Sequence, residues 1–353
     1  MTMPGARRIA VVLFNLGGPD NQSAVQPFLF NLFNDPSIIG LPNPFRFLLA
    51  KLISKRRAPF AREVYRKMGG GSPILPNTQV QAQALETALA DLGEVRCFIA
   101  MRYWHPFTED TAKAVKAWGA DEVVLLPLYP QFSTTTTGSS YRVWQEAAKK
   151  IGLAVPQRLV CCYPDEPGFV AALTAITVRA IDDAKARAPS AKRRVIFSAH
   201  GLPKKIVDRG DPYVAQIEAT VAAAVAALGL APDAWIIAYQ SRVGPLEWVG
   251  PATDATIEQA AKAGEAIVVV PVAFVSEHSE TLVELDLEYG ELAHENGAAA
   301  YVRAPTVDAH ESFIGGLADL VRKALGDVPP IQPGCTTAHC RGHSQCALTQ
   351  AGM

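Results

Sequence analysis

No stretch of this sequence comes near the roughly 20 apolar residues that a helix needs to cross a bilayer. Excess charge is missing too: 33 lysines and arginines against 34 aspartates and glutamates leave a formal net charge of -1 over 353 residues. Recognition of nucleic acid by bulk electrostatics needs a basic face. No nucleic-acid partner is therefore expected, and the short runs Lys55-Arg56-Arg57 and Lys192-Arg193-Arg194 read as solvated faces. Cysteine is scarce. Of six, Cys97 stands alone, Cys161 and Cys162 are adjacent, and Cys335, Cys340 and Cys346 lie in the last stretch. In a reducing compartment that pattern favours metal ligation over a disulfide framework. A secretion signal is not expected either. Arg7 and Arg8 precede an apolar run, but it covers only Ile9 to Phe14 before Asn15 and a Gly-Gly-Pro turn, which reads as a buried first strand in a cytoplasmic protein.

What is present is an ordinary globular balance, 49% hydrophobic and 19% charged, in a chain long enough for one large or two medium domains. Apolar runs predict strands at Ile9 to Phe14, Val95 to Met101, Glu122 to Leu128, Leu159 to Cys162, Val195 to Phe197, Trp235 to Ala238 and Ala266 to Val272. Between most of them lie alanine-rich segments of helical spacing, such as Gln79 to Leu92, Pro167 to Ala188 and Tyr213 to Leu228. Alternation of this kind implies an α/β fold of parallel sheets flanked by helices. The segment Ser133 to Val155 reads as a crossing between similar halves. The expected organisation is two like domains, 1–155 and 156–326, and a cysteine-bearing extension, 327–353.

An insertion from Val25 to Ser72 breaks the rhythm and is too long for a simple turn. Within it Phe45, Phe47, Leu48, Leu49 and Leu52 are followed by Lys55, Arg56 and Arg57. An apolar stripe beside a basic cluster fits an anionic membrane surface, the wall of an apolar pocket, or a helix packed on its own domain. Gly69 to Gly71 lacks the lysine of a phosphate loop and reads as a tight turn letting the backbone approach a ligand or the other domain.

Two segments carry chemistry. In Val195 to Gly210 a buried strand delivers one imidazole, His200, to its carboxyl end, where Gly201 and Pro203 break the ladder. That edge is where ligands bind in open α/β sheets; the plainer reading of one histidine is a satisfied core side chain. In Phe274 to Gly290 a helix is expected, capped by Ser276 or Ser279, with Glu280, Glu284 and Glu288 spaced by four along one face. Such a row is ordinarily a solvated face. Leu282, Val283, Leu285 and Leu287 make this segment too apolar for that, and partly buried carboxylates need protons, cations or metal to offset desolvation. An imidazole facing carboxylates suits divalent metal handling and proton removal near neutral pH, and His278 either joins or orients the group.

The segments SAHGLP with DRGDPY, YQSRVGPLEWVGP and PVAFVSEHSETLVELDLEY resemble the ferrochelatase family. So do NLGGPD, YRKMGGGSPI, MRYWHP and LYPQFSTTTTGSS, which together extend the resemblance from Ile9 to about Leu325. It implies two Rossmann-like domains and an enzyme that inserts Fe(II) into protoporphyrin IX in haem synthesis, releasing two protons. It also implies that His200 and Glu280 contact the iron or take the pyrrole protons, with Glu284 and Glu288 extending a polar path. Leu16, Arg57, Tyr65, Ser72, Arg102 and Tyr103 become the expected porphyrin contacts, with Arg57 facing a propionate. The tail resembles ferrochelatases that carry a 2Fe-2S cluster, which would rest on Cys335, Cys340, Cys346 and Cys161 or Cys162, with His339 and His343 as alternative ligands. This chain has Thr134 where the animal enzymes have their internal cysteine. A chelatase for coproporphyrin and a non-catalytic haem or metal carrier remain as alternatives, peripheral membrane contact is compatible with the apolar stripe, and monomer and homodimer are both open.

Overall fold

A computed structural model of the protein describes residues 7–242, 244 and 246–327. The three tail cysteines, the alternative ligands His339 and His343, and the whole 327–353 extension apart from the backbone of its first residue lie outside these residues. The chain divides into two compact units, one holding the residues up to Tyr163 together with those from Ile314, the other Pro164–Phe313.

The first unit is built on a parallel sheet of β1 (Arg8–Asn15), β2 (Glu94–Met101), β3 (Glu122–Pro127) and β4 (Gln157–Leu159), in the spatial order β2-β1-β3-β4. Seven of the eight β1 residues and all six of β3 are buried, as a sheet covered on both faces requires. The second unit repeats the plan with β5 (Arg193–His200), β6 (Trp235–Gln240), β7 (Ala266–Pro271) and β8 (Ala300–Arg303), in the order β6-β5-β7-β8. In both, the first strand sits between the next two, so consecutive crossovers leave to opposite sides. Crevices form at the carboxyl ends of such strands. His200 is the last residue of β5 and stands at that point.

Three expectations need correction. The division falls after Tyr163 rather than 155, because the residues beyond β4 are still tied to the first sheet: Val160 N–H donates to Leu125 O at 2.9 Å and Tyr163 Oη to Pro127 O at 2.8 Å. The last helix, Glu311–Asp327, rejoins the first unit from Ile314 instead of closing the second. There Arg322 Nη2 donates to Ala88 O at 2.7 Å and to Asp91 Oδ1 at 2.8 Å. An eighth strand, β8, was not expected, since a short edge strand of mixed polarity gives little periodic signal.

The apolar insertion is a helix over Phe45–Lys67. Its inward face is made by small residues, Ala50, Ser54 and Ala58, with Tyr65 following, while Phe45, Leu48 and Phe60 keep 65%, 61% and 66% of their surface exposed. Phe47 stacks edge-on against Phe30 of the helix Val25–Phe33, with ring centroids 5.3 Å apart. Among the described residues no helix is long and apolar enough to cross a membrane.

The triple glycine is a tight turn, as expected, with φ of 90° at Gly69 and 108° at Gly70. The backbone it approaches is that of its own unit. A Cβ at Gly71 would stand 2.4 Å from Asp20 O, and Ser72 N–H donates to Pro19 O at 2.7 Å. Gly71→Ala is expected to destabilise the protein by about 1–3 kcal/mol through overpacking, read as a lower urea midpoint at unchanged slope.

Candidate active site

The second unit assembles the site from three strand ends. β5 ends at His200, whose backbone oxygen accepts from Tyr213 Oη at 3.1 Å. β6, paired with β5 so that Gln240 lies opposite His200, ends beside it. Beyond β7 the chain turns into a π-helix over Glu280–Glu288. Neither Ser276 nor Ser279 caps it. Instead Thr281 Oγ1, within the first turn, ties back to the preceding segment, accepting from His278 N–H at 3.0 Å and donating to His278 O at 3.0 Å. Wide i→i+5 turns of this length are rare and cluster at functional sites.

The π-helix sorts the acid row by depth. Glu280 Oε2 lies 2.7 Å from His200 Nδ1. The pair remains reachable from solvent, with 41% of the His200 side chain and 26% of the Glu280 side chain accessible. Glu284 is held by four donors: Ser241 N–H at 2.8 Å and Oγ at 2.5 Å, Gln240 Nε2 at 3.1 Å, and Tyr289 Oη at 3.0 Å. Glu288 is exposed, so the part of the row that is partly buried is two carboxylates long. His278 is buried against Phe274, ring centroids 4.7 Å apart, with its Nε2 3.9 Å from Glu280 Oε2. Its Nδ1 lies 3.1 Å from Ser276 O, an acceptor, so Nδ1 carries the proton in the neutral ring.

These contacts push the titrations apart. Burial disfavours a charged His200, but the charge and hydrogen bond of Glu280, with the charge of Glu284, outweigh it and raise the pKa. Burial likewise works against an ionised Glu280, and His200 and His278 overcome it, leaving this carboxyl below the ordinary range. Glu284 is raised by its burial and by Glu280, against the pull of its donors. His278 is lowered, chiefly by burial. An ionised Glu280 holds the proton of His200 on Nδ1. The neutral imidazole then presents Nε2 as its free basic atom, the arrangement a proton acceptor needs.

A family model for ferrochelatase matches residues 8–325. The chain belongs to the ferrochelatase family. It is thus an enzyme that inserts iron into a porphyrin for haem synthesis. It is 54% identical over 327 residues to a ferrochelatase of Caulobacter vibrioides strain NA1000, covering 92% of each chain. To the ferrochelatase of Phenylobacterium zucineum it is 52% identical over 350 residues, 98% of this chain and 99% of that one. Among solved structures, SirB from Bacillus subtilis with Fe3+ superposes with a TM-score of 0.53 at 12% identity, covering 91% of this chain and 96% of that one. That likeness is one of fold.

The first unit receives the other ferrochelatase-derived expectations. Leu16, Tyr65 and Tyr103 share one apolar cluster with Val25, Phe28 and Leu29. Arg102 and Tyr103 turn their polar ends inward to Asp35, a residue the sequence did not single out. Arg102 Nη2, Tyr103 Oη and Ser139 Oγ lie 2.7, 2.8 and 2.9 Å from its Oδ2, and Ser37 N–H donates to Oδ1 at 2.8 Å. Ser72 follows the glycine turn with its Oγ 3.4 Å from Ile74 N–H. Arg57 is exposed, its guanidinium 5.8 Å from the Phe33 ring centre. Also missed were Gln240, Ser241 and Tyr289; all three stand in quoted motifs, but nothing in their spacing marks them as partners of Glu284.

Cys161 and Cys162 follow β4 and are buried, at 7% and 5%, in the core cluster of the first unit with Tyr141 and Trp144. This unit also contains the end of the last helix, from which the tail departs. Thiolates are the ligands a 2Fe-2S cluster takes; of the expected set only Cys161 and Cys162 lie among the described residues, where no group of three or more His, Cys, Asp or Glu side chains gathers as a metal site.

Proposed function

We propose that the porphyrin is protoporphyrin IX and that His200 Nε2 receives the pyrrole protons as Fe(II) enters. The observation that carries this reading is the 2.7 Å contact between His200 Nδ1 and Glu280 Oε2 at the carboxyl end of β5. Insertion forms iron–nitrogen bonds and releases two N–H protons, while iron remains Fe(II) throughout. One proton at a time passes to Nε2, Glu280 stabilises the imidazolium, and Glu284 and exposed Glu288 lead outward to water. Binding energy that distorts the planar ring exposes the nitrogen lone pairs and lowers the barrier. Within the first unit Tyr65 and Tyr103 are core side chains and Arg102 is held by Asp35, while the guanidinium of exposed Arg57 is available to a carboxylate.

The exposed Phe45, Leu48 and Phe60, beside Lys51, Lys55 and Arg56, support a cytoplasmic enzyme that rests on an anionic membrane surface. The same apolar stripe favours protoporphyrin over the more highly charged coproporphyrin. A 2Fe-2S cluster on Cys161 and the three tail cysteines would cross-link the tail to the first unit; the redox-neutral insertion sends no electron through it.

One cuvette tests the reading. An anaerobic absorption spectrum of the fresh protein is followed by Fe(II) with protoporphyrin IX or coproporphyrin, with and without anionic vesicles. Visible charge-transfer bands, lost in Cys161→Ser, and multiple turnovers faster with protoporphyrin are expected. Faster coproporphyrin turnover overturns the substrate, and stoichiometric binding without turnover leaves a carrier.

A further inference from the structure

We infer that Gln240, with Ser241 beside it, is a positioning residue for metal insertion: it sets the π-helix so that Glu280 meets His200 and Glu284 is held behind it. Gln240 ends β6 and is 1% exposed. Its amide can point only one way. Oε1 accepts from Ser198 Oγ at 2.8 Å, and Nε2 faces two groups that can only accept, Glu280 O at 3.0 Å and Glu284 Oε2 at 3.1 Å. The Glu280 carbonyl it grips is attached to the Cα that carries the carboxylate facing His200, so a shift of this amide moves both carboxylates.

The anchor itself is rigid. Ser198 Oγ is also 3.0 Å from Thr253 Oγ1. The Gln240 backbone oxygen accepts from Gly201 N–H at 2.8 Å, directly after His200, where a Cβ would come within 2.9 Å of that oxygen. Strand end, imidazole and amide are thereby fixed to one another before the π-helix is added. Ser241 adds an unusual backbone, with φ of 58° in the left-handed region. A serine held there costs about 1–3 kcal/mol unless the surroundings demand it, and such strain gathers at functional sites. The conformation aims both its N–H and its Oγ at Glu284.

The inference rests on the iron-inserting activity, which wild-type turnover tests first and separately. Gln240→Leu, Gln240→Glu and Ser241→Gly are then compared in the full-length protein, alone and with Glu284→Gln. Gln240→Leu is expected to lower kcat/KM for Fe(II) roughly ten- to hundredfold, the usual cost of losing a group that orients a metal-handling side chain. The KM for protoporphyrin is expected to stay within about twofold, because the polar groups of both side chains are engaged by Ser198 and Glu284. Gln240→Glu keeps the acceptor for Ser198 and the side-chain volume but sets a second buried carboxyl against Glu284, so it is expected to lose activity and to melt at a lower temperature. In the Glu284→Gln background the loss caused by Gln240→Leu shrinks to less than about threefold, since residues acting as a unit are not additive. Ser241→Gly retains the N–H donor and relieves the backbone, so it is the mildest of the three. Full multiplication of the two losses, an unchanged Gln240→Leu enzyme, or iron and porphyrin KM values rising together would each overturn the inference. A wild-type protein that inserts no metal overturns the activity instead.

Discussion

His200→Ala lowers the rate of Fe(II) insertion by about 10²- to 10⁴-fold, the range spanned by removal of a positioned general base. The loss is expected to fall on kcat, since the substitution removes the proposed proton acceptor and leaves the first unit untouched. Glu280→Gln separates the two roles of the pair. Burial alone lowers the pKa of His200, and the carboxylate of Glu280 reverses this and raises it. With the carboxylate gone and burial retained, the pKa falls. The acidic limb of kcat/KM, which reports the protonated imidazole of the free enzyme, therefore moves to lower pH in Glu280→Gln, while the plateau drops as the imidazolium loses its partner. A pH profile in a series of buffers measures both. A limb that stays in place in Glu280→Gln, or near-wild-type rates in both variants, would remove His200 from the proton path.

Asp35→Ala has the largest expected effect on stability, about 3–5 kcal/mol, because breaking a buried ion pair strands the partner charge. The Asp35 side chain has no exposed surface and Arg102 retains 15%; Tyr103 and Ser139 lose the same acceptor. Replacing both members, as in Asp35→Leu with Arg102→Met, restores much of the loss, since a well-packed apolar pair avoids the desolvation cost. The pH dependence follows from the sign of the shift. Burial opposes ionisation of Asp35, but Arg102 and the donors prevail, so its folded pKa lies below the ordinary 3.8. The stability it contributes is complete above that value and disappears as pH falls through the lower folded pKa. Urea midpoints between neutral and acid pH should fall in the wild type and converge with those of Asp35→Asn. A loss below about 1 kcal/mol in Asp35→Ala would mean that water replaces the missing oxygen.

Much of this architecture was legible before any coordinates. Apolar runs long enough to be buried on both faces, such as Ile9 to Phe14 and Ala266 to Val272, could only be central parallel strands, and the alanine-rich segments between them could only cover a sheet. The glycine turn at Gly69 to Gly71 and the imidazole at the end of β5 were readable for the same reason: backbone permissiveness and strand termination are local properties. The juxtaposition of His200 and Glu280 was also within reach, because one ends a recognisable strand and the other begins a recognisable helix, although they stand eighty positions apart.

Other features depend on what meets what in space. A spacing of four in Glu280, Glu284 and Glu288 announces a shared helix face, yet whether each carboxylate is paired, clamped or exposed depends on Gln240 and Ser241 from elsewhere in the chain, with Tyr289 at the end of the same segment. The outward Phe and Leu side chains of Phe45–Lys67 invert the usual expectation, because the buried face of that helix is made mostly by the small residues Ala50, Ser54 and Ala58. Asp35 is a lone acid in an insertion and becomes a hub only when Arg102, Tyr103 and Ser139 converge on it. The sequence by itself determined the strands, the helices and the types of chemistry at their ends, since periodicity and backbone stereochemistry act within a few residues. The tertiary structure alone decided which charges are buried together and which are left to water, since desolvation and Coulomb energies depend on three-dimensional neighbours that no local pattern records.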